Sequence, residues 1–408
     1  MTDRVLILCN SLSGGGAEAV AREMLENIAG AACVLFENDD DIYVPGKKIW
    51  TASSKGSRSV GGKILINFWR LVFIQFIKFK YRPKLTISHL EGPNFANLVT
   101  INGGKRVVFV HNAFSHSYCK KTFSNALKRF LGRALYKRAS KVVGVSPFIC
   151  EELEQNERIN KQKIIFLPNP INVSKVQSLV ETKYPRHLEH IVSLEYIICV
   201  GSLTEQKNHR FALLVFRELK QSERITNLKL VILGRGPLLS ELVQFGESLG
   251  LNVSDQGALF NFDKTGSSAD VFFVGFQSNP YRLIGHAKAF FMPSKWEGLP
   301  IALLEALALE TPIVISNCSN SLGLIMTSRN EPRELSFFDE RLETDCGWIV
   351  NCQNESAETI EIWQDCLEKV VLESRPLNNR DGGPLAVVRR FDVIQVREAW
   401  KSLLSDNT

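Results

Sequence analysis

Trp296-Glu297-Gly298-Leu299-Pro300-Ile301-Ala302-Leu303-Leu304-Glu305 is the stretch from which the fold is read. A short apolar run, 289–292, precedes it, and a second one, 312–315, follows. Runs of four or five apolar residues bounded by turn signals suit strands buried on both faces. Between them Pro300 opens a helix, because a proline at the first helical position loses only an N–H that would go unpaired there anyway. Strand, helix, strand is the repeating unit of a parallel sheet.

The same alternation extends outward. After the joint it runs through 196–200, a helix from His209, 229–233, a helix over 237–249, and 271–274. Before the joint it comprises 5–9, a helix from Ala17, 33–36, 85–90, 107–111, a basic helix near 124–139, 141–145 and 164–167. Pro168-Asn169-Pro170 breaks the pattern, and 173–194 reads as polar and irregular. The expectation is an α/β protein of two doubly wound, Rossmann-like domains facing each other across a cleft. Domain one covers 1–170, a linker 171–194, domain two 195–385, and a last helical segment 386–408. Residues 251–268 read as an exposed insertion.

Glu297 and Glu305 stand eight residues apart. Glu297 lies in the Gly-Leu-Pro turn, and eight steps of about 100° come to roughly 800°, close to two full turns, so Glu305 points the same way as the first residues of the helix that Pro300 opens. Free N–H groups at the helix start suit an anion such as a diphosphate. Phosphate and hydroxyl recognition together describe a nucleotide sugar. A capped surface helix whose acid merely favours the dipole is the plainer alternative.

With 408 residues the chain is long enough for two cores. Hydrophobic content of 45% and charged content of 23% fit an ordinary soluble globular protein. The nine cysteines are scattered, without a Cys-x-x-Cys pair, which argues against a disulfide framework or a zinc site and for a reducing cytosol. Residues 1–10 are too short an apolar run for a signal peptide.

The net charge of +6 conceals an asymmetry: residues 42–150 carry twenty Lys and Arg against one acid, Glu91. Such a body attracts anionic surfaces or substrates. No nucleic-acid module accompanies the charge, so nucleic acid is not expected as a partner. Residues 64–77 are apolar, interrupted by Asn67, Arg70 and Gln75, and Lys78, Lys80, Arg82 and Lys84 follow. About fourteen residues cannot span a bilayer, which takes around 20, but they can lie in its interface with bases on anionic headgroups. An internal amphipathic helix packed on the sheet is the competing reading, and one helix can do both.

The spacing of Glu297 and Glu305 within Ser-x-x-Glu-Gly-Leu-Pro resembles the paired-glutamate motif of the family 4 retaining glycosyltransferases, which have the GT-B fold. Residues 274–281 (Val-Gly-Phe-Gln-Ser-Asn-Pro-Tyr), 201–208 (Gly-Ser-Leu-Thr-Glu-Gln-Lys-Asn), 233–237 (Leu-Gly-Arg-Gly-Pro) and 13–18 (Ser-Gly-Gly-Gly-Ala-Glu) resemble that family in the same order. The resemblance implies a last helix, within 386–408, that crosses back to the first domain, and a metal-independent transferase with no cofactor, taking a nucleotide diphosphate sugar as donor and a glycan or lipid-linked acceptor. Bacterial surface polysaccharide or lipopolysaccharide synthesis is the pathway it suggests, on the inner face of the cell membrane.

By that resemblance His111, at the end of its strand, and Glu297 act on the transferred sugar. Lys207 neutralises the donor diphosphate. Gly298, Leu299 and Pro300 line the sugar or phosphate, and Glu305 accepts from ribose hydroxyls. Gly15 and Gly16 stand where glycine lets a phosphate approach backbone, although an ordinary tight turn fits the pattern equally. Arg235 is a second candidate cation, or a solvated loop charge. His116 is a weaker neighbour of His111. The chain departs from the family at Ala19 and Ser202, where relatives often carry arginine, and in the loop 316–323.

Two metal-like patterns read otherwise. Asp39-Asp40-Asp41 fits an acidic loop, and His187 with His190 lacks a third ligand. Two rivals stay open on the residues alone: a nucleotide-sugar epimerase or glycosyl phosphorylase of the same architecture, and a non-catalytic, membrane-associated relative.

Overall fold

The computed structural model describes residues 4–13, 15–37, 44–52, 59–114, 132–225, 227–255, 269–326, 340–351, 354–373 and 383–405. Gly14, the Asp39-Asp40-Asp41 run, His116, the 256–268 part of the expected insertion and the 124–131 part of the expected basic helix lie outside the described residues, as does the His187 side chain. Two compact units emerge, Met1–Pro170 with Val396–Thr408, and Ile171–Gln395.

In the first unit seven strands form one sheet: β1 (Val5–Cys9), β2 (Ala31–Leu35), β3 (Lys48–Thr51), β4 (Leu85–His89), β5 (Lys105–Val110), β6 (Lys141–Gly144) and β7 (Ile164–Phe166). Their order is β3-β2-β1-β4-β5-β6-β7, every pairing parallel. β1, β2 and β4 are buried at every position, which is why they read as unbroken rather than alternating runs. The order reverses between β1 and β4, and open α/β sheets bind ligands at such a reversal, beyond the strands' carboxyl ends.

Helix Glu91–Val99 is tied to β4 and β5 by a buried polar network. Asn97 Nδ2 donates to the Thr86 carbonyl at 3.2 Å and to Ser88 Oγ at 3.1 Å. Lys78 Nζ, wholly buried, donates to the Asn97 carbonyl at 3.0 Å and to its Oδ1 at 2.9 Å. Asn94 Nδ2 reaches the Phe109 carbonyl at 2.8 Å and Tyr136 Oη at 3.0 Å. A buried polar group left unsatisfied costs about 1–3 kcal/mol, so these bonds fix where β4 and β5 end.

Helix Val60–Tyr81 runs beyond the stretch expected from its apolar residues. Ser59 caps it through Oγ, accepting from Gly62 N at 3.1 Å. Its inner side, Ile74 and Ile77, joins the core with Leu6, Leu8, Val34 and Phe36.

The second unit holds an eight-stranded sheet of β8 (Tyr196–Val200), β9 (Lys229–Leu233), β10 (Val253–Asp255), β11 (Val271–Gly275), β12 (Ala289–Met292), β13 (Ile313–Ser316), β14 (Arg341–Thr344) and β15 (Gly347–Val350). Its order is β10-β11-β9-β8-β12-β13-β15-β14, parallel except for the β14–β15 pair. Trp363 is fully buried, edge-on to Phe211 at 5.7 Å and tilted on Phe291 at 5.4 Å. Here the order reverses between β8 and β12.

Three sequence expectations change. The stretch 173–194 is not irregular, since it carries helices Val173–Leu179 and Arg186–Val192. Asn172 Oδ1 caps the first, accepting from Lys175 N at 2.9 Å, while Val176 and Ile191 are buried, and seven residues are too few for the period to stand out. Residues 253–255, expected in an insertion, add an edge strand to β11. Pro300 is the cap of helix Ile301–Ala308 rather than its first residue, with ψ of 118°. Residues 297–300 form the expected turn, but Glu305 is the fifth residue of the helix and lies about one turn past its start rather than two. Helix Val393–Ser405 starts in the second unit and enters the first at Val396, where Arg397 Nη2 meets Glu23 Oε1 at 2.6 Å.

Candidate active site

In the second unit the chain leaving β8 and the chain leaving β12 meet beside the sheet's reversal. Gly201 follows β8 at φ +155° with the Lys207 side chain across it: a Cβ there would stand 2.9 Å from Lys207 Cε. Gly234 turns at φ +152° after β9, and a Cβ on it would lie 1.9 Å from the Gly201 carbonyl oxygen. Only glycine lets these two backbones approach so closely.

Lys207 Nζ pairs with Glu297 Oε1 at 2.6 Å, the lysine 16% and the glutamate 5% exposed. Gln206 Nε2 supports the turn by donating to the Trp296 carbonyl at 3.0 Å, and Lys295 N donates to the Gln206 carbonyl at 2.8 Å. Beside the pair lies His209, whose pKa burial and the Lys207 charge push down to about 4. Burial, followed by the Glu297 charge, raises the Cys318 thiol to about 12, so it stays protonated.

Gly298, Leu299 and Pro300 continue from Glu297, all buried, into helix Ile301–Ala308. Among the described residues no side chain caps that helix, and while Leu303 N donates to the Pro300 carbonyl at 3.2 Å, the N–H groups of Ile301 and Ala302 remain for an outside acceptor. Glu305 is half-buried in the same helix and accepts a hydrogen bond from Tyr281. Burial raises its pKa to about 7, more than the Tyr281 bond lowers it. Arg235 is exposed, its guanidinium 5.8 Å from the centre of the Phe276 ring.

The first unit gathers its own polar groups where β1, β4 and β5 end. Gly15 precedes helix Gly16–Asn27 and both glycines are exposed. Glu18 folds back so that its carboxylate would meet a Gly15 Cβ at 2.5 Å. It accepts from its own backbone N–H, while burial, above all, and Glu37 hold its pKa above the usual carboxylate value.

His111 lies just past β5, 8% exposed, its Nε2 at 3.0 Å from His89 Nδ1. His89 ends β4, is fully buried, and stacks on Phe109 with centroids 4.7 Å apart. Leu90 follows at φ +72° and ψ 162°, a conformation that a side chain makes costly by about 1–3 kcal/mol and that concentrates at functional sites.

His89, Gln206 and Tyr281 are contributors that the sequence reading passes over. A signal for His89 exists: like His111, it ends an apolar run at a strand's carboxyl edge. Gln206 and Tyr281 lie inside the quoted motifs, but their partners belong to other segments.

Two doubly wound units, each with charged or hydrogen-bonding side chains at the carboxyl ends of strands flanking its reversal, define the GT-B class. Comparison with known proteins agrees. A model described as glycosyltransferase family 4 matches residues 14–175, and one described as glycosyl transferases group 1 matches residues 181–328. A Campylobacter jejuni N-acetylgalactosamine-N,N'-diacetylbacillosaminyl-diphospho-undecaprenol 4-alpha-N-acetylgalactosaminyltransferase is 28% identical over 323 residues, covering 76% of this chain and 80% of that protein. An uncharacterized glycosyltransferase of Methanocaldococcus jannaschii is 24% identical over 349 residues, 80% of each chain. The crystal structure of Anabaena HepE in complex with UDP and glucose shares the fold, with a TM-score of 0.71 at 15% identity over 99% of this chain and 100% of that one. The chain belongs to glycosyltransferase family 4 and is a glycosyltransferase.

Proposed function

We propose that this glycosyltransferase moves the sugar of a nucleotide diphosphate sugar to a glycan carried on a lipid diphosphate, with retention at the anomeric carbon and without a metal ion, in bacterial surface-glycan or lipopolysaccharide synthesis. The observation that carries this reading is the Lys207–Glu297 pair beside the reversal of the second sheet, leading through Gly298–Pro300 to an uncapped helix start. An ammonium group has three N–H donors and Glu297 occupies one, so two remain for a diphosphate. The anomeric C–O bond to phosphate breaks as the acceptor oxygen bonds that carbon, and the acceptor's proton leaves with the diphosphate. Lys207 and the helix N–H groups stabilise the charge that builds on the leaving group, a stabilisation a dry site makes strong. Glu297, fixed by Lys207, faces the sugar; Glu305 accepts from the ribose; His111 holds a sugar hydroxyl. The undecaprenol-linked substrate in the name of the Campylobacter relative supports the lipid-linked acceptor.

The protein binds an anionic membrane surface through its basic first domain. Among the described residues no helix is long and apolar enough to cross a membrane. Yet helix Val60–Tyr81 turns Leu65, Phe68, Trp69, Val72, Phe76 and Phe79 to solvent, with Lys80 and Arg82 exposed at its end. That arrangement supports a helix lying in the interface of the inner leaflet.

Thermal unfolding in the presence of a panel of nucleotide diphosphate sugars tests the donor, since a saturating ligand raises stability by several kcal/mol. Transfer of the stabilising sugar to an undecaprenyl-diphosphate-linked acceptor, with and without EDTA, then tests acceptor and metal, and NMR of the product reads the anomeric configuration. An inverted linkage, or activity abolished by EDTA and restored by a divalent ion, overturns the corresponding part of the proposal.

A further inference from the structure

His89 and His111 form a closed pair. His89 Nδ1 and His111 Nε2 are 3.0 Å apart, while His89 Nε2 and His111 Nδ1 are buried with no hydrogen-bond partner among the described residues. Burial lowers both pKa values, that of His111 to about 3, and His111 lowers that of His89 further, so both rings are neutral and carry one proton each. A neutral ring has one N–H and one bare nitrogen, so the shared bond fixes both tautomers together. If His111 donates through Nε2, the His89 proton sits on Nε2, an N–H with no acceptor on a ring that has no exposed surface. If His89 donates through Nδ1, the unpaired N–H falls instead on His111 Nδ1, an equally buried atom but one on a residue that is 8% exposed rather than fully enclosed. Each arrangement leaves one buried N–H without an acceptor, a rare state in native proteins, and only on His111, which is not fully enclosed, can an acceptor arrive from outside, which favours the second arrangement.

We propose that His89 is a positioning residue that donates to His111 Nε2 and so makes His111 a hydrogen-bond donor through Nδ1, directed at a substrate oxygen. The assignment rests on His111 acting at the substrate, as proposed above, and deepens it by giving the ring a direction and excluding it as a base. Three features hold His89 in place: the stack on Phe109, the positive-φ turn at Leu90, and the Asn94 bond to the Phe109 carbonyl. The role is one of orientation, of the kind that holds a catalytic imidazole in one tautomer.

The test begins without substrate. Long-range 1H–15N spectra of the protein labelled at its seven histidines distinguish the tautomers, with His111 assigned by its loss in His111→Gln. His111 is expected as the Nδ1–H form, and His89→Phe, which keeps the stack, is expected to release it to the Nε2–H form or a mixture. His89→Asn puts an amide donor near the place of Nδ1 and is expected to retain the Nδ1–H form, which also serves if His89→Phe does not fold. Turnover follows with the nucleotide sugar that most raises the unfolding temperature: kcat falls by about 10- to 100-fold in His89→Phe with KM within about 2-fold, and His89→Asn recovers most of it. His111 as Nε2–H in the unsubstituted protein, or unchanged in both His89 variants, overturns the proposal. Full turnover in His111→Gln instead overturns the substrate role of His111 and leaves the tautomer result standing.

Discussion

Lys207 and Glu297, separated by ninety residues, meet at 2.6 Å because the strands that precede them, β8 and β12, are neighbours at the point where the second sheet reverses. The pair is both a structural tie and the proposed diphosphate site, and the two roles separate experimentally. Lys207→Met leaves the Glu297 carboxylate buried without its cation, a loss of about 3 kcal/mol for a nearly buried partner. Glu297→Gln removes the charge needing compensation and costs less. Transfer is expected to fall by about 100-fold in Lys207→Met through loss of leaving-group stabilisation. Thermal unfolding together with donor turnover separates the effects: equal stability loss in both variants, or normal turnover in Lys207→Met, contradicts this assignment.

Glu305 gives the proposed donor site a pH dependence. Burial raises its pKa from 4.5 to about 7. A carboxyl group raised in the folded state contributes stability that is complete below its unfolded pKa and is lost as pH rises toward 7. The loss is at most about 3 kcal/mol. Ribose hydroxyls donate to the ionised form, so nucleotide affinity is expected to rise between pH 6 and pH 8 while apo stability falls. Glu305→Gln flattens both curves. Calorimetric titration of the stabilising nucleotide sugar across that range, with unfolding temperatures of the free protein, checks the opposed slopes.

The central strands and the Pro300 turn were legible because their information is local. β8 and β12 are unbroken apolar runs with turn residues beside them, and burial on both faces demands such runs. Edge strands carry no such requirement: β3 (Lys-Ile-Trp-Thr) and β14 (Arg-Leu-Glu-Thr) are mostly exposed or half-buried, and their composition is that of a loop. Glu297 and Lys207 could be named singly by resemblance to a family, but their pairing is a property of strand order. The His89–His111 pair shows the same limit, since 22 residues separate two side chains that only the β4–β5 register brings together.

The same two histidines make the first unit sensitive to acid. The ordinary histidine pKa of 6.5 applies to the unfolded chain, whereas the folded chain holds His111 at about 3 and His89 well below 6.5, chiefly by burial. Below pH 6.5 the unfolded state takes up protons that the folded state refuses. Stability is therefore complete above that pH and drains by about 1.4 kcal/mol per unit for each histidine as pH falls toward 3. Urea titrations at pH 7 and pH 5 are expected to differ by several kcal/mol in the transition of this unit. His111→Phe should remove roughly half of the difference, and an unchanged difference would show that other groups carry it.

The exposed side of helix Val60–Tyr81 is the most direct test of membrane association, because function and folding separate cleanly there. Phe68, Trp69 and Phe76 are 57%, 59% and 56% exposed. Each contributes about 1.5–3 kcal/mol when fully buried in an apolar medium. Interfacial burial is incomplete, so replacing all three by serine is expected to lower the partition coefficient on vesicles of phosphatidylglycerol and phosphatidylethanolamine by at least about 100-fold. Raising the salt concentration weakens the contribution of Lys80 and Arg82 but not that of the rings, because screening acts on exposed charges alone. The core-facing Ile74 and Ile77 are untouched, so the unfolding temperature stays within a few degrees. Sedimentation with vesicles, at low and high salt, reads both components. Equal binding of the triple variant and the unsubstituted protein would mean that these rings meet something other than lipid, and transfer to a water-soluble acceptor should then be as fast as transfer to a membrane-borne one.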